Sequence, residues 1–269
     1  MSTRDDPAGQ PSACGWTADR PDACAAESAV DEERADSAAT DIVLPIRPRT
    51  TYVDGAPLFC LAGEASLAWN YAGLVTHLEP RVPIYGLQAS TGPRTIREYA
   101  TRYLAEIRRI APRGPYQLLG WSAGGFVAHE VAVRLRAAGE QVRVVVLATD
   151  PAGPTPAPLS ADRFAPLFGL AGTTDLPGRD LDRIADLSTT AARMVSGYRP
   201  SWLPGDLTVC IAGRKPDGTD RLDPGATVRN WRPYVEGPVT GFVLDATSDE
   251  LATPELLPEI ARILATATS

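Results

Sequence analysis

The chain has 269 residues, 44% of them hydrophobic, and a formal net charge of −7. That is enough for one sizeable α/β domain and a tail; it excludes the basic footprint of a nucleic-acid binder, and no apolar run approaches the roughly 18 to 20 residues of a membrane span. The N-terminus has no basic start followed by an apolar core, so no secretory signal is expected, and Cys14, Cys24, Cys60 and Cys210 are too scattered for a disulfide framework. A cytoplasmic protein is expected.

Residues 1–40 hold nine acids against three arginines, which gives −6 of the total −7 and leaves the remainder nearly neutral. Rich in Ala, Ser, Asp and Pro and without apolar periodicity, they are expected to form a disordered acidic tail, either a solvated leader or a docking segment. From residue 41 the pattern changes. Ile42-Val43-Leu44 and Pro57 to Leu61 read as strands, the second ending in Ala62-Gly63-Glu64-Ala65-Ser66. Leu67 to Leu78 has helical spacing, with Leu67, Tyr71, Leu74 and Leu78 on one face. Val82 to Leu87 is the next strand, and Thr95-Ile96-Arg97-Glu98 has the spacing of a capping box opening a helix to about Ile110.

Tyr116-Gln117-Leu118-Leu119 is a short apolar strand, followed by Gly120-Trp121-Ser122-Ala123-Gly124-Gly125 and a helical pattern from Phe126 to Ala138. Strand, G-x-S-x-G, helix is the context of a nucleophile elbow, a turn so tight that only small neighbours fit around the serine. Ser122 is therefore the candidate nucleophile, with the backbone N–H of Ala123 at the helix start as an oxyanion donor.

Val142 to Leu147 is a β-branched run, as expected for a strand buried on both faces. Residues 151–204 are irregular and then helical and are expected to form a lid over the sheet, with Phe164, Phe168, Leu170, Met194 and Trp202 either lining a pocket or packing on one another. Leu207 to Ile211 and Val239 to Leu244 are further strands. Ala226 to Arg232 reads as a short helix, and Thr253-Pro254-Glu255 opens the last one. Strands alternating with helices predict an α/β fold with a mostly parallel sheet covered on both faces.

From about Asp41 to the C-terminus the chain resembles the thioesterase domains of nonribosomal peptide and polyketide synthases. The matching stretches are Pro57 to Cys60, Tyr71-Ala72-Gly73-Leu74, Val82 to Gln88, Gly114-Pro115-Tyr116 through Gly120-Trp121-Ser122, and Ala137 to Glu140. The resemblance implies an α/β-hydrolase domain over residues 41–269. It further implies an acyl group delivered as a phosphopantetheine thioester by an acyl or peptidyl carrier protein, transferred to the serine, and released by water or an internal nucleophile. No cofactor of the domain's own, no metal, no nucleic acid and no membrane are implied.

A serine hydroxyl needs a base and an acid that orients it, supplied in this fold in the order Ser, Asp, His. Asp150 follows the next strand and is the acid candidate, although the resemblance puts the family's aspartate at Thr149. Asp217 is a second candidate, with a turn residue as its plainer reading. The family's histidine falls at Ser248, so that position is vacated. Of the two histidines in the chain, His77 is expected at a surface or packing position and His129 about two turns down the elbow helix, well below the nucleophile. The oxyanion loop also departs from the family's H-P-A-G-G. Glu64 would supply the second backbone donor, and its carboxylate is a possible substitute base; Asp249, next to the vacated position, is another. Both acids are otherwise solvated loop residues. Two functions remain open: an enzyme that acylates Ser122 and releases product by cyclisation, condensation or slow hydrolysis, or an inactive pseudo-thioesterase that binds a carrier protein or intermediate. An ordinary lipase or esterase fits less well, because it needs the same missing base.

Overall fold

The computed structural model describes residues 42–63, 68–89, 92–154 and 178–266, with side chains from residue 185 onward in the last segment. The acidic segment 1–40, Glu64, and the lid positions Phe164, Phe168 and Leu170 lie outside the described residues.

Seven strands, β1 (Val43–Arg47), β2 (Leu58–Leu61), β3 (Ile84–Leu87), β4 (Tyr116–Trp121), β5 (Val142–Leu147), β6 (Leu207–Ala212) and β7 (Val239–Leu244), form one sheet in the order β1-β3-β2-β4-β5-β6-β7. Only β1 runs antiparallel to its neighbour; the other pairings are parallel. The helices are α1 (Ile96–Ile110), α2 (Ala123–Ala137), α3 (Gly178–Ser196), α4 (Gly225–Trp231) and α5 (Leu257–Thr266).

Successive strand residues point to opposite faces, and both faces are covered. Phe59, Leu61, Leu118, Val144, Val146 and Val209 pack against α1 and α2. Leu58, Cys60, Leu119, Val145, Leu147 and Cys210 pack on the other side against α5 and the 3-10 helix at Trp69–Thr76. This explains why β2, β4 and β5 read as mostly apolar runs rather than alternating ones.

Helix α1 starts as its capping box predicts: Glu98 N–H donates to Thr95 Oγ1 at 3.2 Å. The Glu98 carboxylate accepts from Arg94 N–H at 2.6 Å, one residue before the cap. Two helical expectations are corrected. The segment expected as a helix over 67–78 is a 3-10 helix over Trp69–Thr76 that still buries Tyr71 and Leu74. The last helix begins at Leu257, after a 3-10 turn at Pro254–Leu256, because Pro258 has no N–H to give the Pro254 carbonyl. In the lid region, Met194 packs on the core, Val195 borders a cavity, and Trp202 stands 55% exposed rather than lining it.

The chain leaving α3 is fastened to α2. Glu130 is 4% exposed and its Oε2 accepts from Tyr198 Oη and Ser201 Oγ, both at 2.8 Å. Its Oε1 accepts from Arg134 at 3.2 Å, so the buried carboxylate is compensated on both oxygens, as burial of a charge requires.

Candidate active site

The end of β4 and the start of α2 meet at Ser122, which has φ of +52° and ψ of −117° and is 6% exposed. This backbone conformation is costly for a residue with a side chain and persists only where its surroundings fix it. Here they do. Ser122 N–H donates to the Leu147 carbonyl at 2.8 Å, and the Ser122 carbonyl accepts from Gly125 N–H at 3.0 Å. A Cβ on Gly120 would overlap the Gly124 carbonyl, and a Cβ on Gly124 would stand 2.5 Å from the Leu61 carbonyl oxygen. Both glycines are therefore demanded by close approach of backbone to backbone. Ala123 is the first residue of α2, so its N–H belongs to the helix's unpaired first turn, at the positive end of the dipole.

Ser122 borders a cavity of about 620 Å³ at the carboxyl ends of β4 to β7. Its other walls include Trp121, Phe126, Asp150, Cys210, Arg221, Thr227 and the loop Thr247-Ser248-Asp249. The structure thus brings together Ser122, Asp150, Ser248 and Asp249. Glu64 lies outside the described residues.

Strand β5 is followed by Ala148, whose φ is +46°. Beyond that left-handed residue the two candidate acid positions diverge. Thr149 turns under the elbow: its hydroxyl, 1% exposed as a residue, contacts the carbonyls of Leu147 at 2.9 Å and Ser122 at 3.2 Å. Asp150 faces the cavity wall and is tied to α4. Its Oδ2 accepts from Thr227 Oγ1 at 2.8 Å, and its Oδ1 accepts from Asn230 Nδ2 at 2.9 Å and Ala152 N–H at 3.0 Å. Thr227 and Asn230 lie 77 and 80 residues ahead in sequence, and nothing in the local motif pointed to them. Asp217 is a turn residue, accepting from the backbone N–H and hydroxyl of Thr219, and is exposed.

The loop after β7 is held over the nucleophile by the elbow itself. Trp121 Nε1 donates to the Ser248 carbonyl at 2.8 Å. Within the loop, Thr247 N–H donates to Glu250 Oε2 at 2.7 Å, a cap that presents Ser248 and Asp249 to the cavity. Neither histidine reaches it. His77 is exposed at the end of the 3-10 helix. His129 is 0% exposed and its ring lies 4.8 Å from that of Trp231. Cys210 borders the cavity, but burial pushes its thiol up to about 12 with a further contribution from Glu259, so it stays protonated and does not compete as a nucleophile. Among the described residues no cluster of His, Cys, Asp and Glu could hold a metal ion, and no helix is long and apolar enough to cross a membrane.

Desolvation lowers the His129 imidazole to about 4, opposed by the charge of Glu130 and weakly by the Tyr234 backbone, whose approach falls short of a hydrogen bond: neither ring nitrogen has a bonded partner. The fold therefore holds the ring neutral, while the unfolded chain takes up a proton below about pH 6.5. Stability is lost as pH falls from about 6.5 towards 4. In His129→Phe, the drop in unfolding free energy between pH 7 and pH 4.5 is expected to shrink by about 2 kcal/mol, measured by denaturant titration at the two pH values.

Residues 56–159 match the family model described as "Thioesterase domain". The chain is 30% identical over 263 residues to a dimodular nonribosomal peptide synthase of Bacillus subtilis, covering 84% of this chain and 11% of that one. It is 33% identical over 234 residues to malpibaldin synthetase of Mortierella alpina, covering 81% of this chain and 4% of that one. The chain thus spans only about a tenth or less of the length of these relatives. Among solved structures, the type II thioesterase BorB from the borrelidin biosynthetic cluster superimposes with a TM-score of 0.63 at 24% identity, covering 85% of this chain and 98% of that one; at that identity the likeness speaks for the fold. The elbow, the mostly parallel sheet and these matches together identify the chain as a member of the thioesterase domain family, with the α/β-hydrolase fold.

Proposed function

We propose that the domain works in natural-product assembly of the nonribosomal peptide or polyketide kind, taking an acyl group from a carrier-protein-bound phosphopantetheine thioester onto Ser122. The observation that carries this reading is the elbow. Ser122 is held by its strained backbone at the wall of a cavity and at the N-terminus of a 15-residue helix. In the acylation step the Ser122 oxygen attacks the thioester carbonyl, the C–O bond forms, the C–S bond breaks, and the serine proton ends on the departing pantetheine thiol. The oxyanion formed on the way meets the N–H of Ala123, with the backbone of Glu64 as its second donor.

With no imidazole at the cavity, proton transfer falls to a carboxylate, Asp249 or Glu64, or to an amine on the acyl chain. Loss of one triad member typically costs about four to six orders of magnitude in turnover. Water is then a poor acceptor, and release favours an internal nucleophile by cyclisation or condensation, with slow hydrolysis beside it. Asp150 orients the α4 wall in this account rather than a histidine. The second reading, a pseudo-thioesterase that holds a carrier protein or its intermediate, is favoured by the same engagement of Asp150 with Thr227, Asn230 and Ala152.

Intact-mass measurement after incubation with an acyl-pantetheine thioester or a fluorophosphonate separates the two. The expected result is one adduct per chain, absent in Ser122→Ala. No adduct, with carrier-protein binding retained, sinks the enzyme reading and leaves the binding one. Because Trp121 already fixes the backbone at Ser248, Ser248→His is expected to raise release of free acid from the acyl-enzyme at least ~10-fold, followed by decay of the adduct mass; an unchanged decay rate contradicts the assignment of Ser248 to the vacated base position.

A further inference from the structure

The cavity contains one cationic side chain among the described residues, Arg221, and neither the acylation step nor the fold uses it. Its backbone is rigidly presented. Arg221 N–H donates to the Gly213 carbonyl at 2.7 Å, and Gly213 N–H donates to the Leu244 carbonyl at 2.8 Å. Arg214 pairs with Asp220 across the intervening turn, and its guanidinium is bound at 2.6 Å to each carboxylate oxygen of Asp245. The loop after β6 is thereby locked against the chain that leads from β7 into Thr247-Ser248-Asp249.

The side chain itself is unspent. Arg221 Nε is fully buried and has no hydrogen-bond partner, and Arg221 makes no side-chain ion pair among the described residues. By contrast, Arg81, Arg108, Arg134, Arg214 and Arg229 are each paired with a carboxylate. The residue borders the cavity, so its guanidinium is placed to meet an acceptor that arrives from outside. The same cavity is lined in part by Ile211, Ala212 and Pro216, and a low-dielectric surface of that kind strengthens a charge-assisted bond. Asp150, which borders the same cavity, already has three donors.

We infer that Arg221 is a substrate-binding residue that takes an oxyanion, a carboxylate or a phosphate, through its guanidinium group. The guanidinium fork matches both groups in a two-point geometry that an ammonium cannot reproduce. Within the acyl-transfer reading, on which the identity of the ligand rests, two sources carry that chemistry: a carboxylate on the acyl chain, or the phosphate of the carrier's pantetheine arm.

The test is calorimetric titration of the full chain carrying Ser122→Ala, so that no turnover is involved. The first pair of probes is glutaryl-pantetheine and its terminal-carboxamide counterpart; the second is butyryl-phosphopantetheine and butyryl-pantetheine. One pair is expected to show at least ~10-fold tighter binding of the anionic member, and which pair does so identifies the source. That preference is expected to fall to within ~2-fold in Arg221→Met and to be only partly kept in Arg221→Lys. Because no side-chain bond of Arg221 is found among the described residues, Arg221→Met is expected to melt within a few degrees of its parent, so the loss reports binding rather than unfolding. Equal affinity within both pairs, a preference that survives Arg221→Met, or no binding of any probe overturns the inference. A retained charge preference with no adduct on Ser122 in the wild-type chain overturns the acyl-transfer reading alone.

Discussion

The site depends on one backbone event, the reversal from β4 into α2 at Ser122. A positive φ on a serine is unfavourable in isolation, and it is held by hydrogen bonds from both sides, to the Leu147 carbonyl and from Gly125 N–H. The first ties the elbow to the end of β5. The packing of Gly124 against the Leu61 carbonyl ties it to the end of β2. Trp121 ties it to the loop after β7. The ends of β2 and β5 and the loop after β7 are thus each referenced to the elbow, so the geometry at Ser122 is set by the central strands.

The same arrangement separates the two positions that follow β5. Ala148, in a left-handed conformation, sends Thr149 beneath the elbow and Asp150 towards α4. Thr149 contacts two carbonyls that a carboxylate at that place would repel. Asp150 bridges β5 and α4 instead of meeting an imidazole. At the far side of the cavity the loop after β7 is anchored by Trp121, with Ser248 and Asp249 among the lining residues. Neither histidine of the chain borders this cavity.

Much of this was legible in the sequence because it is local. The run Tyr116 to Gly125 gives strand, turn and helix within ten residues, and the glycines at 120 and 124 state the close approach directly. The apolar strands gave two-sided burial, and Thr95 with Glu98 gave the start of α1. What the sequence hid is long-range or backbone-determined. Thr227 and Asn230 bind Asp150 from 77 and 80 residues away, and neither residue type stands out in a loop-rich stretch. Arg221 reads as one more loop arginine until the pairing of Gly213 with Leu244 turns it to the cavity. The segment at 69–76 has helical apolar spacing, but a 3-10 helix buries Tyr71 and Leu74 equally well, so periodicity alone could not tell them apart. Pro258 looks harmless within a helix start and yet splits the last helix from the turn before it.

The central claim is that Ser122 is acylated without help from either histidine. The most direct measurement is the single-turnover acylation rate of the double variant His77→Gln, His129→Phe, with its fold checked by circular dichroism. The account predicts a rate within about twofold of the parent, since one ring is exposed on the 3-10 helix and the other is sealed against Trp231. A folded double variant that no longer forms the Ser122 adduct would contradict it.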